Sequence, residues 1–246
     1  MSSKQRSQLL DGLRATAVFA MIVYHFAWDL GFFNIVDPII VNSGVWKLFA
    51  VSIGSSFLFL SGISFWLASA DGIDLRKFIY RLGILIGAAL LVTVGTFKAN
   101  PDTFVFFGIL HLLAACTLLG LLIYRLPVFL LLLLGLAIIF GKPYLMSSDF
   151  QPKYLAWTGL YPGPTGSADF YGFLPWSSAY VFGLGVAKLI IGIKQESFWD
   201  SALFMRSHKR GILHASFFWV GRNSLLVYLI HQPILIAMIF VYLQYF

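Results

Sequence analysis

The chain has 246 residues, of which 59% are hydrophobic and 11% charged, whereas a soluble domain carries roughly 25% charged residues. Seventeen bases and ten acids cannot clothe a water-facing surface, which excludes a soluble globular protein, a disordered chain and a nucleic-acid binder. The net charge of +7 is therefore read by where the bases fall along the chain.

A bilayer core of about 30 Å calls for about 20 apolar residues per helix. Seven stretches meet or approach this: 10–33, 44–69, 78–97, 103–123, 127–141, 174–193 and 223–244. The runs are continuously apolar without two-residue alternation, so helices are expected and not a β-barrel. The fold predicted is an all-α integral membrane bundle of about seven transmembrane helices, a single membrane-embedded domain over 1–246. The fifth stretch is the shortest. Lys4 and Arg6 precede the first stretch as in a signal peptide, but Asp11 and Arg14 interrupt its start and no small-residue cleavage site follows, so it is read as an uncleaved helix. The lone cysteine, Cys116, lies in an apolar run.

With the N-terminus in the cytoplasm, thirteen of the seventeen bases fall inside and only Lys47, Lys98, Lys142 and Lys153 outside. The bias predicts a cytoplasmic N-terminus and an external C-terminus, in the plasma membrane (the inner membrane if the source is bacterial). In the second stretch Trp46 and Trp66 stand 20 residues apart, which suits one tryptophan at each interface. The serines and glycines between them suit close helix packing. The outer loop 142–173 is rich in aromatics and proline, while the inner loop 194–221 mixes aromatics with bases and reads as an amphipathic segment lying at anionic headgroups.

The first stretch carries the chemistry. Asp11, Arg14, His25 and Asp29 are spaced so that a 3.6-residue helix places them on one face. Ionisable groups on a lipid face are costly, so this stripe is expected to face the bundle interior or a water-filled cavity. His111 and His231 fall at similar depth in their own stretches, and His208 and His214 lie in the inner loop. No P-loop, GxSxG or HExxH is present, nor zinc-type Cys/His spacing. A buried histidine beside a carboxylate is a general base or a nucleophile able to carry an acyl group. The expected catalytic residues are His25, oriented by Asp29, with His111 and His231 as donors to a developing oxyanion. Arg14, Arg81 and Arg222, with Arg76 and Lys77 as further candidates, are expected at a phosphorylated donor on the inner side, and Asp11, Asn223 and Ser224 are assigned to the same donor. Asp169 and Trp176 are expected at a hydroxylated or amino acceptor on the outer side. Two other functions remain open: a proton-coupled permease using the same His and Asp residues, and haem held by paired histidines, against which cytochrome-like spacing is lacking.

Four segments, LLDGLRATAVFAMIVYHFAWDL, FFGILHLLAACTLL, SADFYGFLPWSSAYVFGLGVA and GRNSLLVYLIHQPIL, resemble, in the same order, the heparan-alpha-glucosaminide N-acetyltransferase catalytic-domain family. More distantly the first resembles the acyltransferase-3 family. The resemblance implies a membrane enzyme that moves an acetyl or other acyl group from cytoplasmic acetyl-CoA or acyl-CoA to a sugar-like or lipid-linked acceptor. No metal or haem is expected as a cofactor and no nucleic acid as a partner, and homo-oligomerisation is left open. It matches Asp11 and Arg14 to the family's charged start, His25 to the bacterial first-helix histidine, and His111 and Asp169 to the family's middle segments. Asn223, Ser224 and His231 match its last-helix pattern. In the animal enzyme the proposed catalytic histidine follows the first helix. Residues 31–43 contain none, so either His25 takes that role or the acceptor differs.

Overall fold

A computed structural model describes residues 7–146, 150–193 and 211–245. The expected bases Lys4, Arg6, Lys194, Arg206, Lys209 and Arg210, and His208, lie outside the described residues. Helix α1 (Gln8–Phe32) opens on Ser7, whose hydroxyl accepts from the Leu10 N–H, with Asp11 in its first turn; both features satisfy a helix N-terminus. A short α2 (Pro38–Asn42) follows, then α3 (Gly44–Ser69), α4 (Leu75–Ala99), α5 (Ile109–Ile123), α6 (Val128–Leu145), α7 (Phe173–Ile193), α8 (Ile212–Arg222) and α9 (Ser224–Tyr245). Six of these are long and apolar enough to cross a membrane. With the 15-residue α5, they form an all-helical multi-pass membrane protein as expected from hydropathy. α4 shows what faces lipid: of its 25 residues only Ala88 and Ala89 are buried.

Two boundaries differ from expectation. The fourth stretch becomes helical only at Ile109, with Gly108 as its N-cap. Its first part runs extended, because Thr103 O and Phe107 O accept from the N–H groups of Ala168 and Tyr171, and Phe107 bridges Phe170. The fifth stretch is longer than expected, running through Lys142 and Pro143 to Leu145.

By their contacts the residues divide into two units. One contains Met1–Phe57 and Lys194–Phe246, with a core of Val18, Met21 and Ile53 packed by Phe49, Phe57, Val220, Val227 and Tyr228. Within it α8 lies along α1: Phe218 covers Gly12, Phe217 stacks on Phe19 at 5.9 Å, and a side chain at Gly221 would strike the Asp11 carbonyl. The described part of the 194–221 loop is thus docked on a helix, where the sequence suggested a segment lying at the headgroups.

The other unit, Leu58–Ile193, is centred on Leu58, Leu112, Cys116, Leu131, Tyr180 and Leu184, all fully buried. Here α3 and α7 meet backbone to backbone. A Cβ on Gly62 would strike the Tyr180 carbonyl, and one on Gly183 the Phe59 carbonyl, the small-residue packing that membrane helices favour. Lys188 on α7 donates to the carbonyls of Tyr124 (3.2 Å) and Leu126 (2.7 Å) and lies 4.9 Å over the Trp66 ring. It thereby satisfies the C-terminal end of α5.

Candidate functional site

The polar stripe of α1 is internal: Asp11 and Asp29 are buried to 3% and 1% exposure. At its start Arg14 Nη1 bonds Asp11 Oδ1 at 3.1 Å. Because Gly221 packs on the Asp11 carbonyl, Arg222, the last residue of α8, is brought to the same end of the unit as Arg14. Asn223 closes α8, its Nδ2 donating to Trp219 O at 2.9 Å, and Ser224 begins α9. The expected donor-binding residues Asp11, Arg14, Arg222, Asn223 and Ser224 are therefore gathered around one joint, with Asn223 also serving as a cap. Arg81 is exposed on α4 in the other unit.

Eleven residues further along α1, about 16 Å at 1.5 Å per residue, stands His25. Its ring lies 4.9 Å from that of His231 on α9, at 62°, with Tyr24 edge-on at 5.6 Å. One turn on, Asp29 Oδ1 accepts from Gln232 Nε2 at 2.6 Å, a hydrogen bond that ties α1 to α9. Asp29 was expected to orient His25; its hydrogen bond goes to Gln232 instead. The amide reaches the carboxylate from the neighbouring helix, while the imidazole one turn back on α1 turns toward His231.

Four buried polar atoms in this cluster have no partner among the described residues: His25 Nδ1, His231 Nε2, Asp29 Oδ2 and Gln232 Oε1. Left dry, each costs about 1–3 kcal/mol. Four together call for polar partners that the described residues do not supply. The sequence reading missed Gln232. The signal was available, since an amide beside His231 inside an apolar helix is itself costly and so needs a partner.

The second expected cluster lies in the Leu58–Ile193 unit. His111 was expected about eight residues inside a helix that starts at 103. With α5 starting at Ile109, it falls in the first turn. Its Nδ1 accepts from the Gly108 N–H at 3.2 Å, and its Nε2 is 3.1 Å from Thr93 Oγ1. The Thr93 hydroxyl donates to Val105 O at 2.7 Å, so the imidazole donates to Thr93. Both ring nitrogens are thus occupied within the fold, and the geometry gives His111 a capping position. Thr93, absent from the sequence reading, is its partner.

Asp169 Oδ2 accepts from the Ile109 N–H at 3.2 Å, a carboxylate at the N-terminus of α5 that can close in because Gly108 has no side chain. Burial pushes the Asp169 carboxyl up from 3.8 to about 6, outweighing the opposing pull of the Ile109 hydrogen bond. A raised carboxyl favours the protonated form in the folded state. Stability from this group is therefore greatest below its ordinary value of 3.8 and falls as pH rises through about 6. Asp169→Asn is expected to remove that part of the pH dependence, roughly 1–3 kcal/mol. Thermal midpoints of the two proteins compared across this window check it; parallel curves would refute it. Trp176 sits nearby in sequence, edge-on to Tyr171 with centroids 4.6 Å apart, just past the extended Leu174 that interrupts α7.

The family profile described as heparan-alpha-glucosaminide N-acetyltransferase, catalytic, matches residues 6–233. Neither a curated protein nor a solved structure matches the chain.

Proposed function

The chain belongs to the heparan-alpha-glucosaminide N-acetyltransferase catalytic family, and from that premise we propose that it moves an acetyl or longer acyl group from acyl-CoA to a sugar-like amine or hydroxyl at or across the membrane, with an intramembrane histidine of the His25–His231 pair as general base or transient acyl carrier. Membership makes it a membrane protein of a transferase family. The donor, the acceptor and the histidine's role are our reading.

The observation that carries it is the set of four unpartnered polar atoms around His25 and His231, two of them on imidazoles able to take a proton or an acyl group. Arg14 stands about 16 Å along α1 from His25, a separation the extended pantetheine arm of CoA can span, and Arg222 lies at the same end of the unit as Arg14. In this reading the CoA phosphates meet those guanidinium groups from the cytoplasmic side, and the thioester reaches the histidines. Asn223 and Ser224 complete the donor side.

Purified protein in nanodiscs should be heat-stabilised by acetyl-CoA and by free CoA, and should release free CoA thiol when an amino sugar or a lipid-linked hydroxyl acceptor is added. Transport of an acceptor with no acyl-CoA consumed, or no response to any CoA species, would overturn the proposal.

A further inference from the structure

We infer that His231, and not His25, takes the proton from the acceptor, with Nε2 as its basic atom; this rests on acyl transfer at the pair proposed above. His231 Nδ1 lies 2.6 Å from the carbonyl oxygen of Tyr228. A carbonyl oxygen only accepts, so Nδ1 carries the hydrogen. A neutral imidazole has one such hydrogen, which leaves Nε2 with a lone pair.

That Nε2 is buried and unpartnered. The group that fixes it is α9's own backbone three residues back, which cannot rotate away as a side chain could. The contact lies within one turn of α9, on the side chain's own helix.

His25 is held differently. No hydrogen bond reaches its Nδ1, and the carboxylate one turn on, Asp29, is bonded to Gln232. No acceptor therefore holds a proton on Nδ1, and the ring can present an N–H to a second group beside His231. A guest that both donates and accepts fits the pair: its X–H points to His231 Nε2, and its oxygen receives from His25.

The step balances as follows. The acceptor nitrogen or oxygen forms a bond to the acyl carbonyl carbon while its proton passes to His231 Nε2. The carbonyl electron pair moves to oxygen, which accepts a hydrogen bond from His25. Collapse breaks the C–S bond, and the CoA thiolate leaves with that electron pair and takes the proton from the His231 imidazolium. Gln232 acts through Asp29 to hold α1 against α9 and is a positioning residue.

Two measurements on the full-length protein in nanodiscs decide the matter. With 15N-labelled histidine, and His231→Gln to assign the signals, NMR should show His231 protonated on Nδ1 alone. In the thiol-release assay His231→Gln should lose turnover by about 10²–10⁴-fold, while acetyl-CoA still raises its melting temperature as in the wild type. A glutamine amide can donate a hydrogen bond but cannot act as a base, so His25→Gln should keep at least about tenfold more activity than His231→Gln.

A proton on Nε2 of His231, wild-type turnover by His231→Gln, or the reverse order of the two variants would overturn the assignment. Loss of the acetyl-CoA response in His231→Gln would also overturn it, since the residue would then be structural. If the wild type consumes no acyl-CoA, the transfer reading itself fails and the base role with it. The NMR spectrum reports the ring geometry independently of that result.

Discussion

Replacing His25 with alanine is expected to lower turnover by about 10²–10³-fold, the usual loss when one donor to a developing oxyanion is removed, while the protein stays folded. The variant loses the edge contact with Tyr24 and the ring contact with His231. It also loses a buried nitrogen with no partner, whose desolvation works against folding by about 1–3 kcal/mol. These changes oppose one another, so the melting temperature should move little. A site that improves or merely holds its stability when a residue is deleted, yet loses its rate, has kept that residue for chemistry. Thiol release and thermal unfolding measured on the same preparation check both halves. Retained turnover would remove His25 from the reaction.

Replacing Gly221 with valine is expected to cost about 3 kcal/mol, at the upper end of overpacking losses. What the new side chain would meet is the backbone of α1 at Asp11 and Ala15, which cannot swing aside. α8 must then leave α1, and Arg222 leaves with it. Stabilisation by acetyl-CoA should fall along with the melting temperature. Gly211→Val is the control, because nothing lies within 4 Å of that position. A Gly221→Val protein that melts and responds to acetyl-CoA like the wild type would show that the α1–α8 joint does not hold the donor.

Hydropathy made the helices legible because lipid imposes a length and an apolar composition that the sequence must display. It misplaced the start of α5 because Thr103, Phe104, Val105, Phe106 and Phe107 are mostly apolar whether helical or extended. What decides between the two is pairing with 168–171, a partner more than sixty residues away. The α1 stripe was equally legible, since the angular spacing of Asp11, Arg14, His25 and Asp29 follows from helix geometry alone. Which groups these side chains bond was not. The Asp29–Gln232 bond spans 203 positions, and local spacing pointed instead to His25, four residues away. His111 shows the same limit. A histidine in an apolar run signals that a partner exists, but only the fold reveals that its partners are a threonine hydroxyl and a backbone N–H.

The hydroxyls of Ser52, Ser56 and Ser69 on α3 each return to the carbonyl four residues back in the same helix, those of Leu48, Ser52 and Phe65. Within the Leu58–Ile193 unit, α3 instead meets α7 by shape, with Gly62 seated against the backbone of Tyr180 and Leu184. A seat of this kind works as a detent. It holds one register firmly, because the fit is lost over a fraction of an ångström, and the Lys188 ammonium of α7 over the Trp66 ring of α3 marks the same register. The register of α3 against α7 is thus keyed by shape and one ring contact, while the serine hydroxyls stay bonded within their own helix.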